Sequence, residues 1–475
     1  MNSAISNYSD LEALFYRQRQ YHINHIKQSS ATARIHKLKS LRQSLLNHKA
    51  QFHQAMQEDF AKSAAEVDLS EFFTTMHELN FAIKHLKHWL NTKKAKTPLS
   101  MIGSHSYIRY EPRGVVLIIS PWNYPLQLVL CPLISAIAAG NCAMLKYSPL
   151  TPATNALIKS MLSEIFSQQE IAPIDGDENR VQQLLALPFD HIFFTGSTRV
   201  GKIIMETAAK TLTSVTLELG GKSPVIIDDT VDLKDAAEKI IWGKFINAGQ
   251  SCIAPDYIWI DEKCKNAFIE QVINVINRFS KGLLDTRSPD YCRIINDTHF
   301  NRLKKLYDDA VAQGAKTICG GKFNAQDRYI PLTVLTDVTD QMAIMQEEIF
   351  GPLLPMLTYQ SLENDLLVKL SHYAKPLALY IFSRDVARQN KIINHSSAGG
   401  TVINNTLIQF TNPNIPFGGI GTCGIGNYHG FYGFKTFSHE RAIVEQGKFN
   451  GFRYFYPPYT DSVKKWINHL LRFLT

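Results

Sequence analysis

The longest apolar tract in the chain, residues 114–145, cannot be one continuous element. Pro121, Asn123, Pro125, Gln127, Pro132 and Asn141 interrupt it. Proline lacks a backbone donor and breaks a helix interior, so a helix spanning a bilayer is excluded. What remains is a buried strand, a turn and a helix. The same texture continues downstream, where residues 115–119, 142–145, 191–194 and 225–227 are short apolar runs that read as buried strands. Helical patterns such as 157–165 lie between them, and this alternation predicts an α/β fold with a parallel sheet covered on both faces. A second alternating region runs from about 225 to 410, with helices near 265–279 and 301–312. The first ninety residues read as helical. Leu69, Phe72, Phe73, Met76, Leu79, Ile83, Leu86 and Leu90 repeat at spacings of three and four and predict one apolar face.

Composition narrows the function. A length of 475 residues suggests two or three domains, and 45% apolar residues suffice for several cores. The formal charge of +8 is spread without a basic block, so nucleic acid is not an expected partner. Seven cysteines, an odd and sparse count, predict reduced thiols and a cytoplasmic setting rather than a disulfide framework. The polar opening Met1-Asn2-Ser3-Ala4 carries no signal-peptide pattern. His85 and His88 lack further ligands at a matching interval, so no metal is expected.

Four segments carry candidate chemistry. Gly196 to Lys202 fits the start of a P-loop, but Ile203 stands where magnesium needs a hydroxyl. A strand, a small-residue turn and a helix start survive; they suit a pyrophosphate or are a plain turn. Asn123, in Pro121-Trp122-Asn123-Tyr124-Pro125, follows a buried strand, where its amide either donates to an oxyanion or satisfies the turn. Glu218, beside Gly220 and Gly221 in an apolar stretch, is either a general base of raised pKa or the partner of a nearby lysine. Cys252 closes Asn247-Ala248-Gly249-Gln250-Ser251-Cys252; alone, it reads as a small buried hydrophobe.

Taken in order, Pro121 to Pro125, Gly196 to Gly201, Glu218 to Pro224, Gly249 to Cys252, Glu347 to Pro352 and Pro416 to Gly419 form a co-linear set. That set resembles the aldehyde dehydrogenase superfamily over residues 10 to 460, including the Glu218-to-Cys252 interval of 34 residues. Trp242-Gly243-Lys244-Phe245, Ala254 to Tyr257, Pro376 to Tyr380, Asn427 to Gly430 and Thr436 to His439 are similar to the class 3 branch. The branch acts on fatty and aromatic aldehydes, coniferyl aldehyde included, and its members are usually dimers.

The resemblance implies a mechanism. Cys252 would attack the aldehyde, with the oxyanion held by the Asn123 amide and the Cys252 backbone N–H. Hydride would pass to a nicotinamide, leaving a thioester that Glu218 hydrolyses through water. The implied cofactor contacts are Trp122, Lys146, Gly196, Ser197, Thr198, Arg199, Val200, Gly201, Leu219, Glu348 and Phe350. The family often reads Lys-Pro-Ser-Glu where this chain reads Lys146-Tyr147-Ser148-Pro149. The carboxylate that binds the ribose and repels a 2′-phosphate is thus absent, and use of both NAD and NADP is expected. Tyr124, Trp242 and Ile246 are the substrate-pocket candidates, with ordinary core packing the alternative.

The implied fold is α/β: a Rossmann-like NAD(P)-binding domain over 1–94 and 113–219, and an α/β catalytic domain over 220–417. A β bridging element over 95–112 and 427–450, with a hairpin near 95–112 and a strand near 431–447, would form the homodimer. In the tail, 451–475, Val463, Trp466, Ile467, Leu470, Leu471 and Leu474 mark one face of a helix, and Lys464, Lys465, Asn468, His469 and Arg472 the other. The first expectation is that this helix docks on its own or its partner's catalytic domain; the second is peripheral contact of 460–475 with an anionic membrane. The expected activity is NAD(P)-dependent oxidation of an apolar aldehyde to its acid. A reductase that passes the thioester to coenzyme A is the alternative, disfavoured by Glu218. Ile203 disfavours a P-loop hydrolase, and the presence of Asn123, Glu218 and Cys252 together disfavours a silent relative.

Overall fold

Three sheets organise the computed structural model, which describes residues 8–98, 101–279 and 288–474, the side chains of 473 and 474 excepted. The polar opening at 1–4 and the side chain of Leu474 lie outside the described residues. The first sheet has six strands, in the spatial order Gly424–Ile425, Ser214–Leu219, His191–Gly196, Val115–Ile119, Cys142–Lys146 and Ile171–Ile174. All pair in parallel except Gly424–Ile425, which runs antiparallel beside Ser214–Leu219. The chain enters at Val115–Ile119, winds outward one way and returns to place His191–Gly196 on the other side. Those two adjacent strands therefore mark the point where strand order reverses, and a crevice opens beyond their carboxyl ends.

The second sheet has seven strands, ordered Lys316–Cys319, Thr333–Thr336, Leu353–Tyr359, Tyr257–Asp261, Pro224–Ile227, Ala378–Phe382 and Gly400–Ile403. Only the pairing of Lys316–Cys319 with Thr333–Thr336 is antiparallel. Central strands of both sheets are buried along their whole length, as expected where helices cover both faces. The molecule is thus α/β, with two largely parallel sheets and a small antiparallel one. That third sheet joins Lys93–Ala95, Ser104–Pro112 and Ser438–Gln446, the last running from Ser438 opposite Pro112 to Gln446 opposite Ser104.

The interrupted apolar tract resolves into the strand Val115–Ile119, a turn, the helix Gln127–Ala139 and the strand Cys142–Lys146. Every residue of that helix is buried, and it carries Pro132 in its interior instead of ending there. The helices Ala31–Asn47 and Phe73–Trp89 pack against it. Three sequence expectations need correction. Residues 430–436 are a helix, and the strand starts only at Ser438. Phe431 and Phe434, one turn apart, meet the Trp89 and Tyr110 rings, and a Cβ at Gly433 would fall 2.3 Å from Ser135 Oγ. Close docking on Gln127–Ala139 therefore selects the helix over the strand.

The apolar stripe of the early helices also divides. Phe72, Leu79 and Leu86 enter the core, whereas Leu69 and Phe73 remain 49% and 55% exposed. In the tail, Asp461–Leu474 is helical and packs on the turn Gly451–Phe455, and against the expected docking most of its described side chains are exposed. Trp466 is 68% and Leu471 55% exposed, with Lys464, Lys465 and Arg472 exposed as well.

Gly140 ends the helix Gln127–Ala139 at φ +88°, where an added Cβ would lie 2.4 Å from the Arg34 guanidinium carbon. Gly140→Ala is expected to lower the unfolding midpoint, at a cost of about 1–3 kcal/mol. Thermal and denaturant melts check this, and an unchanged midpoint contradicts it.

Candidate active site

The crevice at the switch point receives loops from both large sheets. Val115–Ile119 leads into the turn carrying Trp122, Asn123 and Tyr124, and His191–Gly196 runs into Ser197, the N-cap of the helix Thr198–Ala209. Ser214–Leu219 ends in Glu218, Leu219 and the glycine pair. From the other side come the loop ending at Cys252, which follows the helix Leu233–Phe245, and the segment Glu347 to Gly351 ahead of Leu353–Tyr359.

Cys252 alone is shared by two cavities. The first, about 770 Å³, is lined by Trp122, Asn123, Thr195, Gly196, Ser197, Glu218, Gly220, Cys252, His299, Arg302, Glu348 and Phe350, with Pro121. The second, about 780 Å³, contains Tyr124, Trp242, Ile246, Ile253, Leu407, Phe410, Phe417 and Tyr428, and reaches Leu69 and Phe73 at its rim. No charged side chain lines this second cavity. A polar cleft and an apolar channel therefore meet at one sulfur.

Backbone geometry places that sulfur. Asn247, Ala248 and Gly249 are consecutive left-handed residues, at φ +53°, +48° and +70°. L-residues resist this conformation, so other contacts must hold it. Asn247 Nδ2 donates to Asn123 O at 3.0 Å and to Gln250 O at 2.9 Å. Asn123 Nδ2 donates to Gln250 O at 3.1 Å, and the Gln250 side chain bonds Asn247 O, Arg293 O and Ile295 N. Only glycine fits at 249, because a Cβ there would lie 2.4 Å from Gly351 O.

The carboxyl groups are set by burial. Glu218 is 3% exposed, and neither of its oxygens has a hydrogen-bond partner. Burial alone raises its pKa well above 4.5. The alternative of an ion pair fails, since Lys222 donates to Asp256, Ile344 O and Glu347 O instead. Burial, with Asp256 adding to it, pushes Glu348 up to about 8, and its Oε1 is unpartnered. A Cβ at Gly220 would fall 2.0 Å from Glu348 Oε2, so the glycine makes room for that carboxyl. Burial also raises the Cys252 thiol, as do Glu348 and Glu218, while the backbone N–H groups of Cys252 and Ile253 oppose the shift.

The sequence candidates divide by position. Trp122, Gly196, Ser197, Glu348 and Phe350 line the polar cleft with Asn123, Glu218 and Cys252; Phe350 meets Trp122 edge-on at 5.5 Å. Thr198 lines a neighbouring cavity with Glu348 and donates to Thr422 O. Arg199 is exposed, and Val200 N–H is capped by Ser197. Gly201 and Leu219 serve packing, since a Cβ at 201 would lie 2.7 Å from Leu219 Cδ2. Lys146 is buried and donates to Tyr147 O, while Pro149 lines a surface cavity with Asn155 and the Lys159–Asp175 ion pair. Tyr124, Trp242 and Ile246 all line the apolar channel.

Sequence reasoning missed Thr195, whose buried hydroxyl is unpartnered, and Arg302, which holds Glu347, Glu348 O and Ile349 O. It also missed Lys244, whose fully buried ammonium is unpartnered and held near 8 by desolvation. The small-residue strand end at Thr195 and the class 3-like run Trp242-Gly243-Lys244-Phe245 were the available signals, and no local pattern marks Arg302.

Comparison with known proteins gives one picture. Residues 8–443 match the model of the aldehyde dehydrogenase family. A Pseudomonas aeruginosa protein named probable coniferyl aldehyde dehydrogenase is 42% identical, covering 97% of this chain and 96% of its own. A Staphylococcus aureus protein named 4,4'-diaponeurosporen-aldehyde dehydrogenase is 43% identical over 94% of each chain. Mouse aldehyde dehydrogenase family 3 member B3 is 40% identical over 91% of this chain and 90% of its own. The substrate-bound structure of Staphylococcus aureus AldH superposes with a TM-score of 0.93 at 42% identity, covering 97% of this chain and 99% of that one.

The raised Glu218 pKa has a measurable sign. Above the unfolded value, near 4.5, folding keeps a proton that the unfolded chain releases, so stability falls as pH rises towards the folded value. Glu218→Gln escapes that loss. Its melting temperature should match wild type near pH 4.5 and exceed it increasingly towards pH 8; a pH-independent difference contradicts this.

Proposed function

The chain belongs to the aldehyde dehydrogenase family and is an oxidoreductase acting on aldehydes; from that premise we propose that it oxidises an apolar aldehyde, aliphatic of medium or long chain or aromatic, to the carboxylic acid with NAD or NADP. The observation that carries this reading is the position of Cys252 where the uncharged channel meets the polar cleft. The channel takes the aldehyde tail and delivers the carbonyl carbon to the Cys252 thiolate. The oxyanion of the hemithioacetal accepts from the second N–H of Asn123 Nδ2 and from the Cys252 N–H; losing one such donor costs about 100- to 1000-fold in rate. Glu218, free of any partner, then takes a proton from the water that hydrolyses the thioester.

The cleft suits the cofactor. The unpartnered Glu348 Oε1 and Thr195 Oγ1 suit hydroxyl and amide groups, and the helix start at Ser197 and Thr198 suits a pyrophosphate. When bound, the oxidised nicotinamide would supply the acceptor for the hydride whose loss turns the hemithioacetal into the thioester. At the far end position 149 is Pro149 and offers no carboxylate against a 2′-phosphate, which supports use of both cofactors; the Lys159–Asp175 ion pair lines the same cavity.

The described cysteines are all free thiols, which suits the cytoplasm. The strand Ser438–Gln446 lies at the edge of its sheet with most side chains exposed, which suits pairing with a second copy in a homodimer. The tail Asp461–Leu474 suits peripheral contact with an anionic membrane, its open apolar face holding Trp466 and Leu471 and its basic face Lys464, Lys465 and Arg472.

Reduced-cofactor formation with decanal and with an aromatic aldehyde tests the activity. Wild type should turn over with NAD and with NADP, and Cys252→Ala with neither. Glu218→Gln should show a first-turnover burst of reduced cofactor followed by acid release at least 100-fold slower; release at the wild-type rate overturns the assignment of the base. Pro149→Glu should raise the KM for NADP at least tenfold and spare NAD. For the tail, sedimentation with phosphatidylglycerol vesicles should fall when residues 460–475 are deleted, and equal binding with and without them ends the membrane proposal.

A further inference from the structure

A buried charge cluster outside the cleft touches both catalytic loops. Lys62 and Glu71 are each 0% exposed and form an ion pair at 3.1 Å between Nζ and Oε1. The other oxygen of Glu71 accepts the backbone N–H groups of Leu126 and Gln127, at 3.2 and 2.8 Å, which fixes the end of the turn carrying Asn123. The Lys62 ammonium also lies 4.2 Å from the centre of the Tyr124 ring. Glu66, one turn before Glu71, accepts the Asn247 backbone N–H at 2.7 Å across 181 residues of sequence.

The local sequence sharpens the meaning of this last bond. Ser63 caps the helix start, its Oγ accepting from Glu66 N–H at 3.2 Å, so Ser63 and Glu66 occupy the two key positions of a capping box. In that motif the glutamate returns to the backbone N–H of the cap residue. Here it reaches instead to the first residue of the left-handed run ahead of Cys252. The run includes Ala248, which resists the left-handed region, and a short hydrogen bond to the backbone N–H of the residue before it is the kind of contact that can hold it.

We infer that Glu66 is a positioning residue for the reaction: by fixing Asn247 it sets where the Cys252 sulfur and backbone N–H stand relative to the Asn123 amide. Lys62, in the connection just before this helical segment, and Glu71, within it, brace the facing loop. The inference rests on Cys252 being the nucleophile. It predicts that reach, not charge, matters at 66, because an amide oxygen at the same distance accepts the same bond whereas a shorter carboxylate cannot.

Two variants of opposite design test it. Glu66→Gln keeps the length and loses the charge; Glu66→Asp keeps the charge and withdraws it by one methylene. Each is measured for kcat, for the KM of aldehyde and cofactor, for the rate of Cys252 alkylation by iodoacetamide, and for melting temperature. The expected result is a kcat for Glu66→Asp at least tenfold below wild type, with both KM values within threefold and the alkylation rate changed. Glu66→Gln should stay within threefold of wild type throughout. Full kcat in Glu66→Asp overturns the inference, and so does an equal loss in both variants, or a loss confined to KM. Should Glu66→Asp melt early, assays well below its midpoint keep the comparison valid, with Glu66→Gln as reference. A wild-type enzyme without Cys252-dependent turnover would instead count against the underlying activity.

Discussion

A carboxylate without a partner in the interior is a demanding group for this fold to keep. Glu218 is held by its strand alone: Ser214–Leu219 is fixed on one side by His191–Gly196 and on the other by Gly424–Ile425, with Gly424 opposite Glu218 itself. An unpaired buried charge opposes folding unless the group takes up a proton. The surrounding design is consistent with that burden. Lys222, the obvious cation, is bound elsewhere, and the glycine pair beyond Glu218 leaves room for a second raised carboxyl at Glu348.

The loop ending at Cys252 answers a different constraint. It leaves one sheet's helix and must present its sulfur to a crevice belonging to the other sheet, within a few residues. Three successive left-handed residues make that reversal, and the bonds of Asn247, Gln250 and Glu66 keep it. The rigid parts of the molecule are therefore spent on one short segment. The channel wall comes from ordinary packing surfaces left uncovered, such as Leu69 and Phe73.

The sequence was most legible where chemistry and chain order coincide. The alternating short apolar runs predicted strands that stand within a residue or two of their positions, because a buried parallel strand needs a continuous apolar run whatever surrounds it. Asn123, Glu218 and Cys252 sit at the ends of such runs or in a small-residue loop, so their order was readable. Other features depend on who meets whom. The stripe from Leu69 to Leu90 has one period but two destinations, and only the folded chain separates the core side from the channel rim. The strand expected near 431–447 came with the implied bridging element and not from a period: Phe431 and Phe434 are three apart, a helical spacing, and Gly433 admits a helix against Ser135. Glu66 was illegible for the opposite reason: its local pattern promises a capping box, and the bond it makes lies 181 residues away.

The shared sulfur also has a consequence for traffic. The apolar channel opens past Leu69 and Phe73, whereas the polar cleft opens past the exposed Ser197. Two separate entrances mean that neither reactant must wait for the other to vacate a common path. In the proposed reaction a spent cofactor would leave while an acyl chain still filled the channel, and the acid would depart the way its aldehyde arrived. The order of events at Cys252 is then governed by the chemistry at the sulfur and not by queueing at a single mouth.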